Sequence, residues 1–513
     1  MRKEDIENQE HRYLNRSLWS NLQSLKSTVS FMQTGAHPDD ESSRLLAKLS
    51  LDEGYFVSYV NAVRGQGGQN SIGPERDDNL GALRTYELLK AMSVLRVDIG
   101  WLANSRNNSI VDFGLSKSAE ETFEFWDKNY TIQRMIRMVR AYKPDIIIPT
   151  FLDVDGQHGH HRAVTRATIE AYDKSNDPEM FPDDDFDPWK ISQIFLPAWS
   201  GGGGSYDDEE DPPKATHSID VGNFNHIYGG TYNQIGEWSR SYHATQNIGK
   251  LAHEDNIDVP LHLLKGKYVD GDITGGVIPK NFLELSNFAI NENGKKVLQE
   301  CHKLANDAIQ NFNKPEHLVN SLCKLKNLLN TKEPLVPDNH SHRIILKQKQ
   351  CSSAMVDCIS LLPDLNFTQD IHYTGGKIEA NLSIHKNGNF KLTDIKHEVI
   401  TPFKTDLKFS SESKFSSNRI NYIYKGLITQ KESYQDLYKE WHGIALEPKG
   451  IHAKLNFNIN GTTFSTNVIP KNNFAIIPDI IGSLENDKII NVIKEGKKSN
   501  DLTKLPIKFL IKK

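Results

Sequence analysis

Asp145-Ile146-Ile147-Ile148-Pro149-Thr150 is a nearly unbroken apolar run with no alternation of polar residues. A strand of that kind is covered on both faces, as in the interior of a parallel sheet. Residues 130–142 (YTIQRMIRMVRAY) have helical spacing and stop before Pro144, and residues 160–172 (HHRAVTRATIEAY) are helical again. Strand–helix alternation extends on both sides of this unit. Upstream, SFMQTGA at 30–36 is a strand and SRLLAKLSLDEG a helix closed by Gly54. YFVSYVNAV at 55–63 is a second strand, NLGALRTYELLKAMSV a helix and DIGWLA a short strand. Downstream, ISQIFLPAW closes the series. The pattern predicts a Rossmann-like α/β unit with a largely parallel sheet and covering helices, assigned to residues 1–280. Ligands of such sheets bind beyond the carboxyl ends of the strands.

Around this unit the chain changes character. Leu14, Leu18, Leu22 and Leu25 give the first 28 residues an amphipathic lead-in. Residues 200–217, with GGGGS and DDEEDPP, form an exposed loop. Residues 281–365 are rich in helix formers and form a helical spacer, with a turn-rich break at 334–342 (PLVPDNHSH) and a short helix at 350–361. From 366 to 513 short alternating runs predict an all-β, sandwich-like domain. Asn387-Gly388 and Asn460-Gly461 sit between such runs as hairpin signals.

The bulk numbers exclude several classes. A length of 513 residues fits about three domains. A net charge of -5, with no basic stripe interleaved with aromatics, offers nothing to nucleic acid. No run approaches the roughly 18 apolar residues that span a bilayer. MRKEDIENQEH has no apolar core after its charges, so no signal peptide is visible. The location is left open between the cytoplasm and export as a trimmed mature form. Cys301, Cys323, Cys351 and Cys358 are too sparse for a disulfide scaffold and lie away from the first 250 residues; pairing of Cys301 with Cys323 or Cys351 with Cys358 stays open beside the plainer reading of buried thiols.

Two segments carry chemistry. Ala36-His37-Pro38-Asp39-Asp40-Glu41 follows the first strand and places an imidazole and two carboxylates in one turn stiffened by Pro38. His37 and Asp40 can face one cation while Asp39 stays free to take a proton; the alternative is a helix start capped by Asp39 or Asp40. Asp153-Val154-Asp155-Gly156-Gln157-His158-Gly159-His160-His161 follows the run at 145–150 and opens a helix. Three histidines in four residues, brought to the same sheet edge as His37 and Asp40, suit a metal with three protein ligands and one open position. Asp153 or Asp155 could hold a ligand imidazole from behind, or cap the helix.

The paired motifs resemble the PIG-L/LmbE family of zinc-dependent N-acetylglucosaminyl deacetylases. Ala36 to Asp40 matches its AHPDD motif in full, and His158-Gly159-His160-His161 resembles its second, His-Pro-Asp-His-like motif. The resemblance covers roughly residues 29–250. It implies that His37, Asp40 and His161 hold Zn2+, or another divalent transition metal in its place. It implies Asp39 as general base and His158 as electrostatic partner of the tetrahedral intermediate. His160 stands where the commoner form has Asp, and its role is open. Arg64, which leads the glycine-containing loop 65–69, Arg84 of an Arg-x-x-Glu pair with Glu87, and His243 of Tyr242-His243-Ala244-Thr245-Gln246 resemble family segments near the substrate. An ion pair between Arg84 and Glu87 within their helix is the alternative. The implied reaction is hydrolysis of an N-acetyl amide on a sugar or glycoconjugate. The alternatives are an amidohydrolase on another N-acyl substrate and a non-catalytic glycan-binding protein. The C-terminal β region would either contact glycan or pack on the catalytic unit.

Overall fold

The computed structural model describes residues 14–105, 107–199, 208–249, 258–386, 390–416, 418–430, 432, 434–435, 438–470, 474–477, 481–484 and 509–512. The hairpin expected at Asn387-Gly388 and the GGGGS stretch of the loop at 200–217 lie outside these residues.

Five parallel strands form the heart of the first unit: β1 (Ser30–Gly35), β2 (Phe56–Asn61), β3 (Asp98–Trp101), β4 (Ile146–Pro149) and β5 (Gln193–Pro197). Their order is β3-β2-β1-β4-β5, and β1 pairs with β2 from Ser30↔Phe56 and with β4 from Phe31↔Ile146. Every residue of β1, β2 and β4 is buried. The lack of alternation has a direct cause. Phe31, Ile146 and Ile148 face one apolar layer, with Leu45, Leu88 and Ile235. Met32 and Ile147 face the other, with Met135, Val139 and Val164. A chain buried on both sides gains nothing from polar residues on either. Asp258–Lys265 and His217–Asp220 extend the sheet antiparallel beyond β5.

This is an α/β sheet flanked by helices. Helix α1 (Asp77–Leu95) lies on one side; α2 (Lys128–Tyr142) and α3 (Gly159–Lys174) cover the other. A helical region follows, and then β-rich sheets. One sheet has four strands, including Lys377–Lys386 and Arg419–Leu427, and in another His452–Ile459 is the central strand between Thr393–Ile400 and Thr462–Val468. Asn460 and Gly461 form a two-residue turn with φ of +48° and +81°, the left-handed pair such a hairpin needs. All four cysteines are free and buried.

Two features differ from the expectations. The short helix at 350–361 is the end of a 21-residue helix, α4 (Asp338–Cys358), so the break stops at Pro337. Ser and His weaken helix propensity at 339–342, but tertiary contacts override it. Arg343 makes a two-pronged pair with Asp145, at 2.5 and 2.7 Å, at the start of β4. The second feature is Trp441–His442, which adds antiparallel to β3 as the far edge of the first sheet, across from Gly100 and Ile99. A two-residue strand carries no pattern of its own. It is held by its flanks: Glu440 meets Arg134 and Arg137 at 2.7 Å and Lys449 at 2.8 Å, and Asp98 accepts the backbone N–H groups of Ile444 and Ala445.

The last residue of β1 is Gly35, and the Tyr59 hydroxyl occupies the space beside it: a Cβ there would lie 2.0 Å from that oxygen. The same hydroxyl donates to the His37 carbonyl at 3.1 Å, so strand packing and the following turn are coupled. Gly35→Ala is expected to cost about 1–3 kcal/mol in urea unfolding, and adding Tyr59→Phe should restore part of it. Glu440→Gln should cost about 3–5 kcal/mol, because it leaves the buried Arg134 guanidinium without its carboxylate. Burial alone would raise the Glu440 carboxyl, yet Arg137, Arg134 and Lys449 hold it down at about 2. Its stabilisation is therefore complete above the unfolded value of about 4.3 and lost as pH falls toward 2. Acid titration of stability should show this limb in the parent and a shallower one in Glu440→Gln.

Candidate metal centre

β1 and β4 are neighbours, so the segments after their carboxyl ends lie side by side. Asp40 organises the first. Its Oδ2 accepts the backbone N–H groups of Ala36, at 3.0 Å, and His37, at 2.7 Å. The same oxygen lies 3.5 Å from His37 Nδ1 and 3.4 Å from His161 Nε2, and the two nitrogens are 3.2 Å apart. Burial would raise the Asp40 carboxyl, but His161 and His37 hold it well below the usual carboxylate range. For His37, burial works against the charged ring; Asp40 and, behind it, Asp112 outweigh that and raise it.

Helix α3 delivers the second set. Gly159 is its first residue, and its N–H donates to the Ser116 carbonyl at 2.8 Å. A Cβ here would stand 2.4 Å from the Ser118 carbonyl, so glycine lets the helix start press on loop 112–118. Gln157, buried just before the helix, was missed by sequence reasoning. Its Oε1 accepts the His158 N–H at 2.9 Å and His161 Nδ1 at 2.6 Å. A backbone N–H can only donate, which fixes the amide's orientation. His161 Nδ1 therefore carries its proton, and the Nε2 lone pair faces Asp40 and His37. The signal that could have found Gln157 is its place four residues before His161.

Asp153 and Asp155 do not take that role. Asp153 receives Arg162 and Arg166, and Asp155 receives Arg162 at 2.8 Å, so both neutralise the arginines of α3. His158 Nε2 lies 3.2 Å from the Gly114 carbonyl and so donates to it. Burial and the neighbouring imidazoles push His158 down to about 3, which favours its neutral form. His160 is fully buried, with Nδ1 3.0 Å from His37 Nε2. Asp112, also missed, sits 4.0 Å from His37 Nε2 and 3.9 Å from His160 Nδ1. Nothing in the spacing of Asp112 marks it, since it comes from the irregular loop after β3. Two clusters that could hold a divalent metal thus share His37: one with His158 and His161, the other with Asp112 and His160.

Asp39 has φ of +105°, and this turns it away from Asp40. Its Oδ1 accepts Arg84 Nη2 at 2.7 Å, and its side chain keeps 22% exposure against 9% for Asp40. Burial raises the Asp39 carboxyl against the pull of Arg84. Arg84 also donates to the carbonyls of Pro38 and Gly65. Glu87 takes different partners, the Thr245 N–H and hydroxyl, so the Arg-x-x-Glu pair ties two separate loops to α1. Glu41 is buried against His243 Nε2 at 2.9 Å, behind the turn. Arg64 lies further off, stacked 3.7 Å over Trp101 and donating to the Lys439 carbonyl.

Comparisons with known proteins converge on this unit. Residues 32–172 match the family model described as PIG-L, GlcNAc-PI de-N-acetylase. A 1D-myo-inositol 2-acetamido-2-deoxy-alpha-D-glucopyranoside deacetylase of Streptomyces scabiei is 30% identical over 177 residues, 31% of this chain and 53% of that protein. A protein of the same description from Frankia alni is 28% identical over 183 residues, 32% of this chain and 61% of its own. A mycothiol S-conjugate amidase of Streptomyces coelicolor is 27% identical over 171 residues, 30% of this chain and 55% of its own. The chain thus spans less than two thirds of the length of these relatives. Among the described residues no helix is long and apolar enough to cross a membrane. Sequence match and site geometry fall on the same strands and loops: the stretch at 32–172 that is similar to the PIG-L family model is the one that carries the candidate metal-binding His/Asp clusters.

Proposed function

We propose that this chain is a zinc-dependent hydrolase of an N-acetyl amide on a sugar or glycoconjugate, releasing acetate and a free amine. The observation that carries the reading is the meeting of His37 Nδ1, Asp40 Oδ2 and His161 Nε2 at separations of 3.2–3.5 Å. Bonds of 2.0–2.1 Å in a tetrahedral site put neighbouring donors about 3.4 Å apart. Two imidazole nitrogens and one carboxylate oxygen, with His161 backed by Gln157, are also the donor set that a borderline divalent ion takes. The descriptions of the Streptomyces and Frankia relatives support the N-acetyl sugar as substrate.

A cation held there supplies Lewis acidity to the carbonyl and lowers the pKa of water. The protein's residues do the rest. Asp39, the more open carboxylate, takes the proton of the attacking water and returns it to the leaving nitrogen as the C–N bond breaks. Its raised pKa brings it closer to the strength a base needs near neutral pH. Arg84 holds Asp39 by Oδ1 and fixes the turn through the Pro38 carbonyl. His158, beside the ligands and neutral at rest, would assist the oxyanion by taking a proton from solvent as that charge develops. The His243–Glu41 pair secures the turn from below. The amidase match supports a second reading, an amide bearing another acyl group, since none of these residues selects the acyl chain.

Purified protein should release acetate from N-acetylated sugars, and a chelator should abolish the release. Asp39→Asn should lower kcat by about 10²–10⁴-fold with zinc content unchanged. Asp40→Asn should lose zinc itself. Full activity in Asp39→Asn would contradict the assigned base. Faster release from N-acyl amino acids than from sugars would favour the second reading. Zinc content near zero with retention on a glycan column would favour a binding protein.

A further inference from the structure

We infer that His160 is a positioning residue for His37: its Nδ1 accepts the His37 Nε2 proton, which reserves His37 Nδ1 for the cation at Asp40 and His161. The inference rests on the metal-centre reading above and decides between the two clusters that share His37.

Distances make the choice. On the side of the first cluster, His37 Nδ1 and His161 Nε2 converge with Asp40 Oδ2 at separations of 3.2, 3.4 and 3.5 Å, close to the tetrahedral edge of about 3.4 Å. In the cluster with Asp112 they are 3.0, 3.9 and 4.0 Å. The 3.0 Å separation is that of an N–H···N hydrogen bond, and the Asp112 oxygens are too far from either ring for one. Asp112 Oδ1 is engaged instead by the Gly114 N–H at 2.9 Å. Its charge lies close enough to favour a polarised His37 without competing for the proton.

The surroundings agree with this direction of donation. If His37 Nδ1 is to present a lone pair, Nε2 must carry the proton, and a metal-bound imidazole normally donates that proton to an acceptor. His160 Nδ1 is the group within reach. The His160 ring is fully buried between Phe113, at 4.4 Å, and Trp126, at 4.9 Å, and its Nε2 has no hydrogen-bond partner among the described residues. The aromatic walls leave His37 as its polar contact on the Nδ1 side and hold the ring in one orientation. His161 has the equivalent partner in Gln157. Each imidazole of the centre is thus oriented from behind by one neutral acceptor, supplied by two positions three residues apart at the start of the same helix.

The test is zinc affinity, measured by competition with a chromophoric chelator on the full chain, alongside zinc stoichiometry and melting of the metal-free proteins. His160→Asn places an amide oxygen near the position of Nδ1 and should bind zinc within about threefold of the parent. His160→Leu fills the aromatic box without an acceptor and should bind about 10–100-fold more weakly, with one zinc per chain at saturation in all three. Equal affinity in His160→Leu and the parent would overturn the inference. So would two zinc ions per parent chain, falling to one in both His160→Leu and Asp112→Asn, because the second cluster would then hold a cation of its own. Zinc binding with the expected ranking but no release of acetate from any N-acetyl sugar would sink the proposed activity and leave the role of His160 standing. A parent chain that binds no zinc would sink both.

Discussion

The carboxylate of Asp40 meets two backbone N–H groups and two imidazoles at a single oxygen. The backbone bonds wrap the chain after β1 into a tight turn. The imidazoles bring that turn to the start of α3, more than a hundred residues along the chain. Neither segment could hold such a concentration of polar groups alone, since burying a carboxylate without partners is costly. The parallel pairing of β1 with β4 makes the meeting cheap in conformational terms, because both segments leave the same edge of one sheet.

Layers of support surround this point and come from different parts of the chain. Tyr59 of β2 holds the His37 carbonyl, Arg84 of α1 spans Asp39, Pro38 and the Gly65 carbonyl, and Gln157 fixes His161. Glu41 and His243 neutralise each other beneath the turn: burial disfavours both charges, and each holds the other ionised. The positive φ of Asp39 belongs to this arrangement. A non-glycine residue stays in such a backbone region only when its surroundings over-determine it, and here Arg84 on one side and Glu41 on the other do so.

The parts of this molecule legible in the sequence are those written in periodicity or in short-range chemistry. The apolar run at 146–148 reveals a doubly covered strand, and His37, Asp40 and His161 stand in compact motifs at strand ends. Asn460-Gly461 is legible because a two-residue hairpin demands left-handed backbone at both positions. Other features depend on partners far away in the chain. Gln157 and Asp112 look like ordinary loop residues until α3 and loop 112–118 are packed together. Asp153 and Asp155 sit closer in sequence to the histidines than Asp112 does, yet the arginines one and two turns along α3 claim them. The length of α4 was hidden for the same reason, because Arg343 finds its carboxylate at the foot of β4.

The edge strand at Trp441–His442 bears on how the molecule is made. β3 leaves the ribosome roughly 340 residues before the segment that pairs with its outer side. At 5–20 residues per second that interval is about 20–70 s. Throughout it the nascent sheet presents an unpaired strand edge, the kind of surface on which chains join wrongly. The late segment therefore acts as an internal cap on that edge.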